Sequence, residues 1–455
     1  MNEYDSDRLR ERLEKAGYES TTNPKKADLI LLNSCSIREK AEQKLFSALG
    51  RYAVYKRTRP GLRLVVAGCT AQLKGEEILA RVPDTDLVMG TDQLDRFEGW
   101  LESETPSLEP EARLLVSRAK AGEFRFLPVC PSQARPSSVS TNVTIMKGCD
   151  NRCAYCVVPA ARGPQIDRPE REILADVDRL VAAGAKEIVL VGQNVNVYQG
   201  AGGGFARILE QVAARPGVCR VRFTTSHPRD LDLATVEAVA RSEVICPHFH
   251  LPVQSGSNRV LRKMGRGYTR ETYLEKVGWI RDRIPAAAIS TDVIVGFPSE
   301  TDNDFDETMR LLDEVGYSFI YSFCYSAREG TRAASMEDSP ASEVKSARLH
   351  RLQERQSQMT RDHLASFVGE TVEVLVEGSS RRGGGQLMGR TPTFEIVNFT
   401  PNEEPGVTAE GARLKGEVVP VEIVAAGKHT LEGKAAWRQP RAAGSNPAAL
   451  QAEQG

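Results

Sequence analysis

Between residues 140 and 330 six short strand-like runs recur, at 143–146, 188–191, 221–224, 249–253, 290–295 and 319–325, with helical patterns between most of them. Strands alternating with helices predict an α/β chain with a parallel sheet. Six such repeats predict a partial barrel whose chemistry lies at the C-terminal mouth of its strands.

The flanking zones read differently. Residues 1–100 open on a helix, with Leu9, Leu13 and Ala16 on one face, Asn2 to Ser6 as its cap and Gly17 as its stop. Apolar strands at 28–32, 64–67 and 86–89 then alternate with helices, which predicts a small N-terminal parallel α/β sheet domain. No strand precedes the first helix, so the first βα unit looks truncated. Residues 101–137 hold five prolines and read as a connector with room for one short helix or strand. Residues 138–366 carry the barrel and a closing helix at about 341–367. Residues 367–434 show Gly-separated strands at 371–376, 393–399 and 416–424, the pattern of a small C-terminal β-barrel. The tail, 435–455, has no pattern and reads as disordered.

In a chain of 455 residues, 60 Lys and Arg stand against 61 Asp and Glu, so RNA contact would need local patches rather than a global field. No apolar run approaches the ~18 residues of a membrane span. The charged N-terminus lacks a leader's apolar core, and a cytosolic protein with reduced thiols is predicted.

Three of the nine cysteines fall within eight residues, Cys149-Asp150-Asn151-Arg152-Cys153-Ala154-Tyr155-Cys156, directly after the first barrel strand. Three thiolates so spaced can hold one face of an iron–sulfur cluster and leave one iron open. Zinc remains an alternative if Cys130 or Cys246 returns as a fourth ligand, which would make a non-catalytic zinc-stabilised RNA-binding protein. Cys35 and Cys69 each end a strand of the first domain, where open sheets place ligands. Taken alone they read as buried structural thiols rather than ligands, since free Cys is among the most buried residue types.

A CxxxCxxC after strand one of a six-fold βα barrel resembles the radical S-adenosylmethionine superfamily. Val157-Val158-Pro159 and Arg162-Gly163 resemble its methylthiotransferase branch. The resemblance implies a 4Fe–4S cluster on Cys149, Cys153 and Cys156, with S-adenosylmethionine on the open iron and Tyr155 by its adenine. It also implies that strand-end loops carry cofactor and substrate, with Gln193, Asn194, Ser226 and Asp292 facing the cavity. His227 and His250 read as structural. An auxiliary 4Fe–4S cluster is implied in the first domain, where Cys35 and Cys69 match the second and third of three ligands. The first would lie two residues before Met1. This predicts that Met1 is an internal methionine of a longer reading frame, with a strand and a Gly-Cys-x turn upstream. Cys130, Cys219, Cys246 and Cys324 match no ligand position. An enzyme that cleaves S-adenosylmethionine without inserting sulfur is the other reading left open.

Residues 367–434, with Gly389-Arg390-Thr391 and Val397-Asn398-Phe399, resemble the TRAM domain, a small RNA-binding barrel. From 367 to 441 nine Lys and Arg meet ten Asp and Glu, so binding would rest on a face such as Arg381, Arg382 and Arg390. A second patch, Arg259, Arg262, Lys263, Arg266 and Arg270, is free of acids and suits phosphates at the barrel mouth. Asn2-Glu3-Tyr4-Asp5-Ser6, Thr225-Ser226-His227-Pro228 and Tyr325-Ser326-Ala327-Arg328 resemble the MiaB-type branch, which modifies isopentenylated adenosine beside the tRNA anticodon. Other branches act on threonylcarbamoyl-adenosine or a ribosomal protein. The resemblance further implies a monomer, no membrane, and an electron donor such as flavodoxin or ferredoxin.

Overall fold

The computed structural model describes residues 1–36, 39–102, 110–119, 122–130, 138–200, 202–401 and 414–436, so nearly all of the expected tail lies outside the described residues. The chain forms two compact units, Met1–Thr360 and Arg361–Gly455. No described helix is long and apolar enough to cross a membrane.

The first unit begins with α1 (Asn2–Lys15), β1 (Leu29–Asn33), α2 (Glu39–Thr58), β2 (Arg63–Ala67), α3 (Cys69–Arg81) and β3 (Leu87–Met89), followed by α4 (Phe97–Glu102), α5 (Pro110–Arg113) and β4 (Leu114–Leu115). The four strands pair in parallel in the order β1-β2-β3-β4. Leu64 to Ala67 and Leu87 to Met89 are fully buried, as expected of parallel strands covered on both faces. One expectation changes. Met1 occupies the α1 N-cap without a side-chain cap bond, so Asn2 to Ser6 are helical residues and do other work. The connector segment holds the short α5 and β4, and β4 joins the sheet as its fourth strand.

The barrel follows with β5 (Ser140–Thr144), β6 (Met146–Lys147), α6 (Val158–Arg162), β7 (Ile166–Asp167), α7 (Glu170–Ala182), β8 (Glu187–Val191), α8 (Gly204–Ala213), β9 (Arg220–Thr224), α9 (Leu233–Ala240) and β10 (His248–His250). It continues through α10 (Asn258–Met264), α11 (Arg270–Arg283), β11 (Ala288–Val295), α12 (Asp302–Val315), β12 (Phe319–Cys324) and α13 (Ser342–Ala365). Parallel ladders β5-β8-β9 and β10-β11-β12 join through a parallel bridge between Val221 and Ile245, giving the six-stranded partial barrel. One core runs through it, from Val143 and Ile188 to Phe249 and Ile320.

The second unit is a closed barrel, β13 (Thr371–Ser379), β14 (Leu387–Arg390), β15 (Ile396–Thr400), β16 (Val418–Ala426) and β17 (Leu431–Ala435), ordered β13-β14-β15-β17-β16. Three strands were expected and five are present. The two missed ones carry Gly389 and Gly433, residues that read as breakers in sequence. In the barrel they permit close packing, for a Cβ on Gly389 would lie 2.1 Å from the Leu375 carbonyl oxygen. Closure leaves no edge strand to aggregate.

Glu395, buried in this unit, accepts from His363 Nε2 at 2.8 Å and from the Thr391 and Thr393 hydroxyls. Burial alone would raise its pKa, but those bonds outweigh it and hold the carboxyl down to about 2, from an ordinary 4.5. A depressed folded-state pKa adds stability above the unfolded value that is lost as pH falls toward the folded one. Chemical denaturation of the second unit should therefore show stability declining from about pH 4.5 toward 2, and Glu395→Gln should flatten that decline.

Candidate functional site

The loop from β6 to α6 carries Cys149, Cys153 and Cys156. It leaves the barrel on Gly148, at φ +74, where a Cβ would lie 1.9 Å from the Pro164 carbonyl oxygen, so only glycine lets the two passes of chain meet. The Gly148 N–H donates to Gln193 Oε1 at 2.7 Å, and the Cys149 N–H to Gly163 O at 3.1 Å. Midway, Ala154 donates to Met264 O and accepts the Ala333 N–H, both at 2.8 Å. The backbone of the loop is thus held from three sides. Its partly buried thiols line an open cleft of about 590 Å³ with Pro164, Thr331 and Arg332.

Burial pushes the Cys149 thiol up, and the Cys156 thiol up to about 12. Ligation as thiolates therefore calls for cationic or N–H partners. The start of α6 and the segment after α10 supply them. The Val158 N–H donates to Cys156 Sγ at 3.4 Å, and Arg266 Nη1 to Cys153 Sγ at 3.5 Å. Among the described residues no three Cys, His, Asp or Glu side chains converge as ligands of one metal ion would. Cys130 and Cys246, the conceivable fourth zinc ligands, do not line the cleft. A cuboidal cluster makes a different demand, one thiolate for each of three irons, and three thiols along an open cleft with N–H donors behind two of them fit it.

The strand-end residues divide. Tyr155 packs against the small apolar cluster that holds Val260, Met264, Phe297 and Tyr325. Gln193 holds the cysteine loop to the end of β8. Asn194, expected to face the cavity, instead donates to Asp230 Oδ2 at 2.7 Å and accepts the His227 N–H at 3.1 Å, tying two loops together. Ser226 is buried beyond β9. Asp292, on β11, is partly exposed and lies 3.5 Å from His250 Nε2. His227 is pushed down to about 2 by burial, then by Arg266 and Arg229, and its Nδ1 accepts the Arg229 N–H, so it serves as a neutral cap. Sequence reasoning passed over Asn196. Both polar atoms of its carboxamide are buried without a partner among the described residues, the condition a bound ligand relieves. Only its place in a strand-end loop hinted at it, a signal shared with Asn194.

The first domain brings its thiols to the same end of the unit. Asn33 of β1 pairs with Ala67 of β2, and Cys35 and Cys69 each follow that pair by two residues, side by side at the C-terminal sheet edge. Cys69 is buried, and its Sγ accepts from Arg162 Nε at 3.3 Å. Arg162 Nη2 also reaches Asp5 Oδ2 at 2.6 Å and Asn2 Oδ1 at 2.9 Å. Asn2 and Asp5, three apart on α1, share one face, which explains why the helix start carries them. Helix α6 therefore begins with an N–H on Cys156 and ends with a guanidinium on Cys69. Lys147 and Asp92, both buried and 2.5 Å apart, make a second ion pair between sheet domain and barrel.

The basic patch after β10 does not survive as a phosphate grip of five. Arg266 is 4% exposed and points inward at Cys153. Arg259 is paired with Asp304 and Arg270 with Glu314, leaving Arg262 and Lys263 exposed. These acids come from α12, distant in sequence. In the small barrel Arg382 pairs with Glu432 and Arg390 with Glu377, while Arg381 is exposed. Phe394, not singled out from the sequence, is 40% exposed with the Arg390 guanidinium 5.0 Å from its ring centre.

Removing one partner of a buried ion pair strands the other charge, at a cost of about 3–5 kcal/mol. Asp5→Ala should accordingly lower the stability of the first unit by about that much, read as a lower urea midpoint with an unchanged slope.

Comparison with known proteins places the chain in a family. Residues 143–312 match the radical SAM superfamily, 1–90 an uncharacterized protein family, UPF0004, and 365–436 the TRAM domain. Proteins named tRNA-2-methylthio-N(6)-dimethylallyladenosine synthase are similar along nearly the whole chain. That of Syntrophotalea carbinolica is 41% identical, covering 95% of this chain and 97% of its own, and that of Acidovorax sp. strain JS42 is 43% identical over 95% of each. Among solved structures, the radical S-adenosylmethionine methyltransferase TsrM from Kitasatospora setae matches with a TM-score of 0.55 at 13% identity, over 73% of this chain and 74% of its own, a likeness of fold alone. The chain belongs to the radical S-adenosylmethionine methylthiotransferases, in the family of the tRNA-2-methylthio-N(6)-dimethylallyladenosine synthases.

Proposed function

We infer that this chain is a transferase that converts N6-isopentenyladenosine beside the tRNA anticodon to its 2-methylthio derivative. The observation that carries the reading is helix α6, which touches Cys156 at one end and Cys69 at the other. Cys149, Cys153 and Cys156 would hold a 4Fe–4S cluster with S-adenosylmethionine. Cys35 and Cys69 would contribute to an auxiliary cluster. When bound, the first supplies the electron for reductive cleavage of S-adenosylmethionine, the source of a radical able to attack an unactivated C–H bond such as adenine C2.

The protein's own part is position and exclusion. Gly148 and Gln193 fix the loop, Val158 donates to its last thiol, and Tyr155 closes the apolar wall where a purine can lie. Asn196 and Asp292 offer polar atoms at the strand ends. Arg262 and Lys263 suit phosphates, and in the second unit Arg381 and the Phe394 ring suit backbone contact and base stacking. We assign the electron supply to a flavodoxin- or ferredoxin-class donor, and the working state to a monomer.

Mass spectrometry of tRNA nucleosides from a deletion strain and its complemented counterpart tests the reading: the 2-methylthio nucleoside should vanish and return. Cys153→Ala should abolish 5′-deoxyadenosine formation, and undiminished cleavage would refute the cluster assignment. Unmodified tRNA should be a poor substrate, because burying the five-carbon isopentenyl chain is worth about 0.8 kcal/mol per CH₂. Equal turnover with and without that group would refute the substrate.

A further inference from the structure

Arg266 is the one member of the expected RNA patch that the fold turns inward, and its surroundings are unusual for a buried cation. Its Nε donates to the Tyr268 hydroxyl at 3.1 Å and its Nη2 to the Pro252 carbonyl oxygen at 2.7 Å. Nη1 faces Cys153 Sγ at 3.5 Å and the Tyr155 hydroxyl at 3.4 Å. The guanidinium also lies 5.3 Å from the Tyr268 ring centre. The hydrogen bonds of the guanidinium thus go to neutral oxygens and a sulfur, with a ring beside it. No ion pair to a carboxylate is formed among the described residues, whereas Arg162, equally buried, is answered by Asp5.

A buried guanidinium without a counter-ion is costly unless its site supplies negative charge. The atom that can supply it is Cys153 Sγ. The sulfur is neutral as a thiol, but three thiolates on a 4Fe–4S core make an anionic group that gains further charge on one-electron reduction. Hydrogen bonds to ligating sulfurs and nearby charge are among the levers that set a cluster's potential.

We propose that Arg266 is the built-in counter-ion of the cluster at Cys149, Cys153 and Cys156, a positioning residue that raises the cluster's reduction potential through Cys153. The inference rests on the cluster assignment made above. Its position is fixed by the chain around it. Met264 O accepts the Ala154 N–H, and Gly265, at φ +71, lets the backbone pass close to the Arg152 carbonyl oxygen, which a Cβ there would approach to 3.0 Å. The segment after α10 is therefore pressed onto the cysteine loop, and the guanidinium has little freedom to leave.

The test is an electron-paramagnetic-resonance redox titration of the anaerobically reconstituted full chain, run without S-adenosylmethionine. The relevant signal is identified as the one that changes when S-adenosylmethionine is then added. Arg266→Gln should load as much iron per chain as wild type and show a lower midpoint potential, with Arg266→Lys, which keeps the charge but not the fork, lying between. An Arg266→Gln potential equal to wild type overturns the inference, including when that variant binds S-adenosylmethionine more weakly, which would mark Arg266 as a cofactor contact instead. If Arg266→Gln holds no cluster, Arg266→Lys decides: a potential below wild type supports the inference and an equal one overturns it. If wild type gives no such signal, or Cys153→Ala leaves it intact, the cluster assignment itself fails and the inference falls with it.

Discussion

The buried contact of Arg162 with Asp5, Asn2 and Cys69 is the constraint on which the mouth of the first unit depends. A guanidinium at 4% exposure must be answered within the protein, and its partners come from α1 and α3 while the arginine comes from the barrel. Satisfying it forces the N-terminal sheet to present its C-terminal edge to the end of α6. Since α6 starts immediately after Cys156, the two sets of thiols are brought to opposite ends of five residues. The Lys147–Asp92 pair repeats the device one strand away.

Buried charge recurs across the site, and its answers differ in kind. Arg162 and Lys147 are met by carboxylates, and these contacts join layers. Arg168 is paired with Asp176 inside the barrel wall. Arg266 faces a sulfur and phenols. Ion pairs of the first kind hold a shape. On the inference drawn above, a cation left for a cofactor to neutralise would shape that cofactor's electronics.

The strand-end loops show how a polar motif is shared between scaffold and ligand. Asn194 and Gln193 are committed to other loops through short hydrogen bonds, while Asn196, two positions beyond Asn194, is buried with both polar atoms unmet among the described residues. A loop at a barrel mouth needs internal bonds to hold its own backbone, and only the remainder is available to a bound molecule. Sequence marks the loop as polar and leaves that division open.

Much of this protein was legible before its structure. The six strands of the partial barrel, the parallel sheet before it and the CxxxCxxC loop follow from apolar periodicity and from cysteine spacing, both local properties of the chain. The contacts between elements far apart in sequence were not legible. Five arginines and lysines after β10 read as one patch because no acid lies among them, yet Asp304 and Glu314 return from α12 to neutralise two, and a third points inward. The β14 and β17 strands were hidden by glycines that are breakers in isolation and spacers in a closed barrel. Asn2 and Asp5 looked like a helix cap, and only the arrival of Arg162, 160 and 157 positions further along the chain, shows what they hold. Periodicity and spacing are written along the chain, whereas the partner of a buried charge is decided by whichever element packs against it.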